Sequence, residues 1–281
     1  MLKTKTKIGI AAGLSKTVRL ARRLGGAAND IVEVKRDSLH WSLDLSEGID
    51  FALYLGVFER STVAACKRYV SPGATVLDIG ANIGAHTLQL AKLVGPDGHV
   101  YAFEPTDYAF RKLITNLELN PVLTPRVTTE QAFLGESAEA VANVEIYSSW
   151  PLEAGGPVHE KHLGRAESTT HARTFRLDDY IKAQNIKRVD AVKMDVDGFE
   201  CHVLGGASKL LAELKPVIVM ELSPYVLIER GRTLDELVAL LTVPGYRFFR
   251  LEDGSPLPNS VAELARLVPD GASMNVIAKV P

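Results

Sequence analysis

The sequence predicts an α/β fold: an open, mainly parallel seven-stranded sheet covered by helices on both faces. Three observations carry this reading. Apolar runs of strand length alternate with helix-period segments from about residue 71 onward. A glycine-rich turn, Gly80-Ala-Asn-Ile-Gly84, follows the buried run 75–79 and leads into an apolar helix pattern. Acidic residues Asp78, Glu104, Asp195 and Glu221 stand at or near the ends of successive strand candidates, where open α/β sheets bind their ligands.

The elements follow in order. Residues 1–29 hold Lys3, Lys5, Lys7, Lys16, Arg19, Arg22 and Arg23 with no acid, and Ile10, Leu14, Val18 and Ala21 fall roughly on one face. This basic leader reads either as a helix for an anionic or membrane surface or as a loosely packed head. Its apolar run is too short to span a bilayer. Residues 30–70 predict an extension: a hairpin formed by 40–45 and 51–55 around Ser46-Glu-Gly48, then a helix over 58–69.

Residues 71–281 predict the main domain. Its strands lie over 75–79, 99–104, 127–134, 189–196, 217–221, 246–251 and 273–280; helices start near Ala85 and Thr106 and cover 200–214 and 234–241. An interruption at 136–176, containing Trp150-Pro-Leu, Gly155-Gly-Pro157 and His159, His162 and His171, reads as an insertion over the active-site face.

Composition narrows the function classes. The 281-residue chain is 46% hydrophobic, enough for a sizeable core. Its net charge is −2, so the chain beyond the basic leader carries −9 and disfavours a nucleic-acid partner. Cys66 and Cys201, far apart, read as unpaired core thiols of a reducing, cytoplasmic setting, with peripheral contact to the inner membrane surface through the leader. His159-x-x-His162 has metal-like spacing but no evident third ligand, so no metal is expected.

The turn itself separates two nucleoside cofactors. In Gly80-Ala-Asn-Ile-Gly-Ala85, asparagine holds the position where a dinucleotide site needs its second glycine for pyrophosphate approach. Asp78 would repel a phosphate, whereas it suits the ammonium and sulfonium of S-adenosylmethionine. Glu104, one βαβ unit later, is placed to accept hydrogen bonds from ribose hydroxyls.

Asp78-x-Gly-x-Asn-x-Gly84 and Phe103-Glu-Pro105 resemble the first two motifs of class I S-adenosylmethionine-dependent methyltransferases. Leu177-Asp-Asp-Tyr, Val189-Asp-Ala-Val-Lys-Met-Asp-Val-Asp-Gly-Phe-Glu200, Gly205-Gly-Ala and Pro216-Val-Ile-Val-Met-Glu221 resemble the FkbM-type members, over roughly residues 70–225. Asp197 stands where the family usually has glutamate. The resemblance implies a Rossmann-like sheet with an antiparallel last strand. It also implies a methionine pocket of Asp78, Gly80, Ala81, Asn82 and Gly84, a ribose contact at Glu104 and an adenine border at Ala132 and Phe133.

Asp195 is expected in the methyl-transfer zone as a cofactor-binding residue, and Asp195, Glu221 or His171 as groups that act on the acceptor. Asp197 and Glu200 are expected either there or capping the following helix, and Lys193 in an ion pair. Trp41 and Trp150 could wall a sugar or lipid, with core packing favoured for Trp41. The activity so implied is O-methylation of a sugar, glycan, lipid-linked or natural-product hydroxyl. N-methylation and a catalytically silent binding module remain alternatives.

Overall fold

A computed structural model describes residues 4–139, 145–153, 156–161 and 163–281. The chain opens with α1 (Thr4–Leu24) and a hairpin of β1 (Ile31–Arg36) and β2 (Leu39–Asp44), followed by α2 (Gly48–Leu55) and α3 (Arg60–Tyr69). The hairpin is not the expected one. Asp37 and Ser38, at φ 49° and 64°, form a two-residue turn whose left-handed conformation matches strand twist, and it pairs Arg36 with Leu39. Residues 51–55 instead lie in α2, because Asp50, Phe51 and Leu53 are buried on a helix and Lys112 meets the Asp50 carboxylate.

The main sheet is built from β3 (Thr75–Ile79), β4 (His99–Phe103) and β5 (Val127–Glu130), with α4 (Ala85–Val94) and α5 (Asp107–Glu118) as crossovers. The expected strand over 127–134 breaks at Gln131. Its second half, β6 (Ala132–Gly135), leaves the sheet. After β7 (Ile146–Ser149) and β8 (Arg165–Glu167), it pairs in parallel with β9 (Arg173–Arg176).

The sheet resumes through α6 (Leu177–Ala183), β10 (Ala191–Met194), α7 (Glu200–Gly205), β11 (Val217–Leu222), α8 (Pro224–Glu229), α9 (Leu234–Thr242), β12 (Arg247–Arg250), α10 (Val261–Leu267) and β13 (Met274–Lys279). Its order is β12-β13-β11-β10-β3-β4-β5, with β13 antiparallel to both neighbours. This is the Rossmann-like seven-stranded architecture with the antiparallel last strand.

Strand alternation sorts the core into two layers. Leu77 and Ile79 face α6, α7, α9 and α10, whereas Val76 faces α4, α5, α3 and the hairpin, with Trp41 fully buried among them. The expected helix over 200–214 ends at Gly205 and resumes as a π-helical turn at Leu210–Leu214. A Cβ at Gly206 would stand 2.2 Å from the Gly135 carbonyl oxygen, so this glycine lets the chain after α7 close onto β6. No helix among the described residues is long and apolar enough to cross a membrane.

Candidate active site

The carboxyl ends of β3, β4, β10 and β11 open into one cleft, lined among others by Gly80, Ala81, Asn82, Glu104, Ala132, Phe133, Asp195 and Glu221. Asp78 lies just beneath it, fully buried. The register places Lys193 of β10 directly beside Asp78 of β3. Lys193 Nζ stands 3.5 Å from Asp78 Oδ1 and 3.9 Å from Asp195 Oδ2, and donates to the Gly80 carbonyl at 2.8 Å. Burial works against the lysine charge, yet Asp78, Asp195 and Glu59 outweigh it and hold its pKa above the ordinary value. Thr87 Oγ1 donates to Asp78 Oδ2 at 2.6 Å, while Asp78 Oδ1 has no hydrogen-bond partner.

The turn after β3 is shaped by contact as much as by conformation. A Cβ on Gly80, at φ 78°, would fall 1.8 Å from the Asp195 carbonyl oxygen. Asn82 adopts φ 49°, which its short polar side chain tolerates. Its backbone N–H donates to Glu104 Oε2 at 2.9 Å, and its amide reaches the Ser148 carbonyl at 3.2 Å.

Glu104 Oε1 accepts from the Thr106 N–H and hydroxyl, so three of roughly four acceptor positions on this carboxylate are taken. The residue is thereby fixed in orientation, with Oε2 as its freer oxygen. Burial raises its pKa against those hydrogen bonds.

The cleft is acidic at the ends of β10 and β11. Burial raises the Asp195 pKa, Lys193 opposes, and the Glu59 charge adds to the rise. Burial, then repulsion from Asp195 and Glu200, lifts Asp197 well above the carboxylate range. Glu221 is lifted by burial and by Asp195, against a hydrogen bond from Ser273. Glu200, buried behind the turn, accepts from the Gly198 N–H at 3.4 Å and is pushed by burial up to about 7. Asp197 lines the cleft and Glu200 does not, which separates two residues that the sequence treated alike.

Glu59 and His86 are among the cleft residues that escaped sequence reasoning. Glu59, preceding α3, bonds His86 at 2.9 Å; burial alone would raise its pKa, but His86 and Lys193 bring it down to about 2. Neither belongs to a motif, and α3 brings Glu59 in from a different part of the chain. His86 offered one signal, a histidine two residues after the last glycine of the turn.

The insertion supplies the other wall with Ile146, Tyr147 and Trp150, beside Ile49, Phe58 and Tyr225. The Ser148 hydroxyl donates to Thr106 Oγ1 at 2.7 Å, joining this wall to the Glu104 corner. His171 is not brought into the cleft. Its side chain is 75% exposed and pairs with Asp107 at 2.8 Å. His159 pairs with Glu229 at 3.2 Å, and His162 and Gly155 lie outside the described residues. Trp150 lines the cleft, whereas Trp41 belongs to the core.

These donors fit S-adenosylmethionine. A turn with no room for a side chain, and a cleft lined by Glu59, Glu104, Asp195, Asp197 and Glu221 with Lys193, suit a cationic, hydroxyl-bearing ligand. The comparisons with known proteins agree. A family model described as the methyltransferase FkbM domain matches residues 78–248.

A hexuronic acid methyltransferase, AglP, of Haloferax volcanii is 28% identical over 142 residues, covering 50% of this chain and 53% of its own. Methyltransferase 1 of Beauveria bassiana is 29% identical, covering 52% and 64%. The 2-O-methyltransferase NoeI of Sinorhizobium fredii is 25% identical, covering 60% and 72%. The chain thus spans between half and two thirds of the length of the first two relatives. A solved methyltransferase FkbM from Methylobacillus flagellatus aligns with 74% of this chain and 44% of its own, at 19% identity and a TM-score of 0.47.

Proposed function

The chain belongs to the FkbM family of S-adenosylmethionine-dependent methyltransferases, and from that premise we propose that it methylates a hydroxyl of a sugar or glycan acceptor. The observation that carries the reading is the pairing of a shape-restricted turn at Gly80 with carboxylates at three strand ends, Glu104, Asp195 and Glu221, around one cleft. The names of two relatives, a hexuronic acid methyltransferase and a 2-O-methyltransferase, support a sugar hydroxyl as acceptor.

When bound, the cofactor supplies an electrophilic methyl group on a sulfonium. Asp78, paired with Lys193 through Oδ1 and with Thr87 through Oδ2, would lend its charge to the side of the cleft that takes the cationic end. Glu104 Oε2 would accept from a ribose hydroxyl, and Ala132 and Phe133 would border the adenine. Glu221 and Asp197 accept hydrogen bonds from the acceptor and orient it; much of the acceleration comes from that positioning. Asp195 takes the proton that the attacking hydroxyl loses. Burial raises its pKa and makes it a stronger base than an ordinary aspartate, while Lys193 opposes that rise.

Incubation of the full chain with methyl-labelled S-adenosylmethionine and a panel of glycans containing hexuronic acid or free 2-hydroxyls tests this. Label is expected in an ether that survives base treatment. Label in an amine, or none on any hydroxylated acceptor despite cofactor binding, would overturn the assignment.

A further inference from the structure

The mechanism leaves α1 without a task, yet this helix has two unlike faces. One is docked: Ile8, Ala11, Ala12 and Val18 pack with Leu45, Phe51 and Leu152, and Ser15 Oγ donates to the Leu45 carbonyl. Arg19 locks the same face through Asp30 and Glu153, both at 2.6 Å. On the opposite face Ile10, Leu14, Leu20 and Leu24 are 54%, 52%, 59% and 82% exposed. At helical spacing these four fall within an arc of about 120°. Lys16 is exposed on one flank, beside Arg23, whose side chain is half-exposed and bonds Asp30 at 2.8 Å; Lys3, Lys5 and Lys7 open the sequence, and no acid occurs before Asp30.

We propose that this face of α1 binds the surface of an anionic lipid bilayer. Aliphatic side chains framed by cations match acyl chains beneath anionic headgroups, and basic residues near such a surface each strengthen binding about fivefold. Charge also sets the pose. The chain beyond the leader carries −9, so an anionic surface repels the body and holds the α1 face alone. The docked face continues directly into the cleft wall: Phe51 and Leu152 hold α1, while their near neighbours Ile49 and Trp150 line the cleft. A bilayer-bound chain therefore holds that wall one helix away from the lipid.

The proposal stands on α1 and is independent of the methyl-transfer reading. Flotation of the full chain with phosphatidylcholine vesicles, with and without phosphatidylglycerol, tests it. The chain is expected to float with the phosphatidylglycerol vesicles and to be released by high salt. The double variant Leu14→Asp/Leu24→Asp, with both positions exposed and the melting temperature unchanged, is expected to bind at least about tenfold less. Equal partition onto neutral vesicles, no flotation, or undiminished binding of the folded variant would overturn it. So would sedimentation showing a wild-type dimer that the variant converts to monomer, which would give the face to a second copy.

Discussion

Lys193 sits between Asp78 and Asp195, and this arrangement lets one cation serve two carboxylates with different tasks. Asp195→Asn should keep cofactor binding and lower turnover by about 10²- to 10⁴-fold, the usual contribution of an acid–base group. Unchanged turnover in a folded variant would remove Asp195 from the chemistry. Glu59 raises the Asp195 pKa through its charge. The acidic limb of the rate profile should therefore move to lower pH in Glu59→Gln, a shift that a purely structural role would not produce. Gly80→Ala places a methyl 1.8 Å from the Asp195 carbonyl oxygen. The β3 and β10 ends must part, so thermal unfolding should report a loss of at least about 3 kcal/mol. The motif carboxylates were legible because each ends an apolar run, where charge needs a reason. Glu59 was not, because its place depends on packing of α3 that no local pattern encodes.

Arg230, just beyond α8, holds the insertion at the element scale. Its guanidinium lies 4.6 Å from the Phe199 ring and 5.7 Å from the Tyr147 ring, and it donates to the Glu145 carbonyl at 2.7 Å. Loss of these contacts in Arg230→Ala should free β7 and raise the acceptor KM by about tenfold while cofactor affinity holds. A parallel loss of both would mean that the whole cleft depends on the clamp.

Elements with buried strands on both sides, such as β3, β4 and β10, were readable to within a few residues because their apolar runs are bounded by turns. The segment 51–55 was misread because five residues of alternating apolar character suit either period. The choice falls to Lys112, 62 residues away, which pairs with Asp50 on the helix. β1 was overlooked since Ile31–Arg36 mixes charge with valine, although the Asp37-Ser38 turn after it was a signal. The break at Gln131 had no sequence marker; pairing of β6 with β9 created it.

Across the molecule, charge is divided between a basic helix at one end and an acidic cleft, and pH should expose the second. Glu200 has its pKa raised from 4.5 to about 7 on folding, so its contribution is complete below pH 4.5 and is lost as pH rises through about 7. That is a loss of roughly 3 kcal/mol by pH 8. Asp195, Asp197 and Glu221 act in the same direction. Glu59 acts oppositely, with stability present above pH 4.5 and lost toward about 2. The unliganded chain should therefore melt higher near pH 5 than at pH 8, and a cationic ligand should narrow the difference. The central claim is that this cleft is built for S-adenosylmethionine. Titration calorimetry of the folded full chain at pH 8 tests it most directly: saturable binding of one cofactor per chain, weakened in Glu104→Gln, is the predicted result, and no binding heat from a folded sample would contradict it.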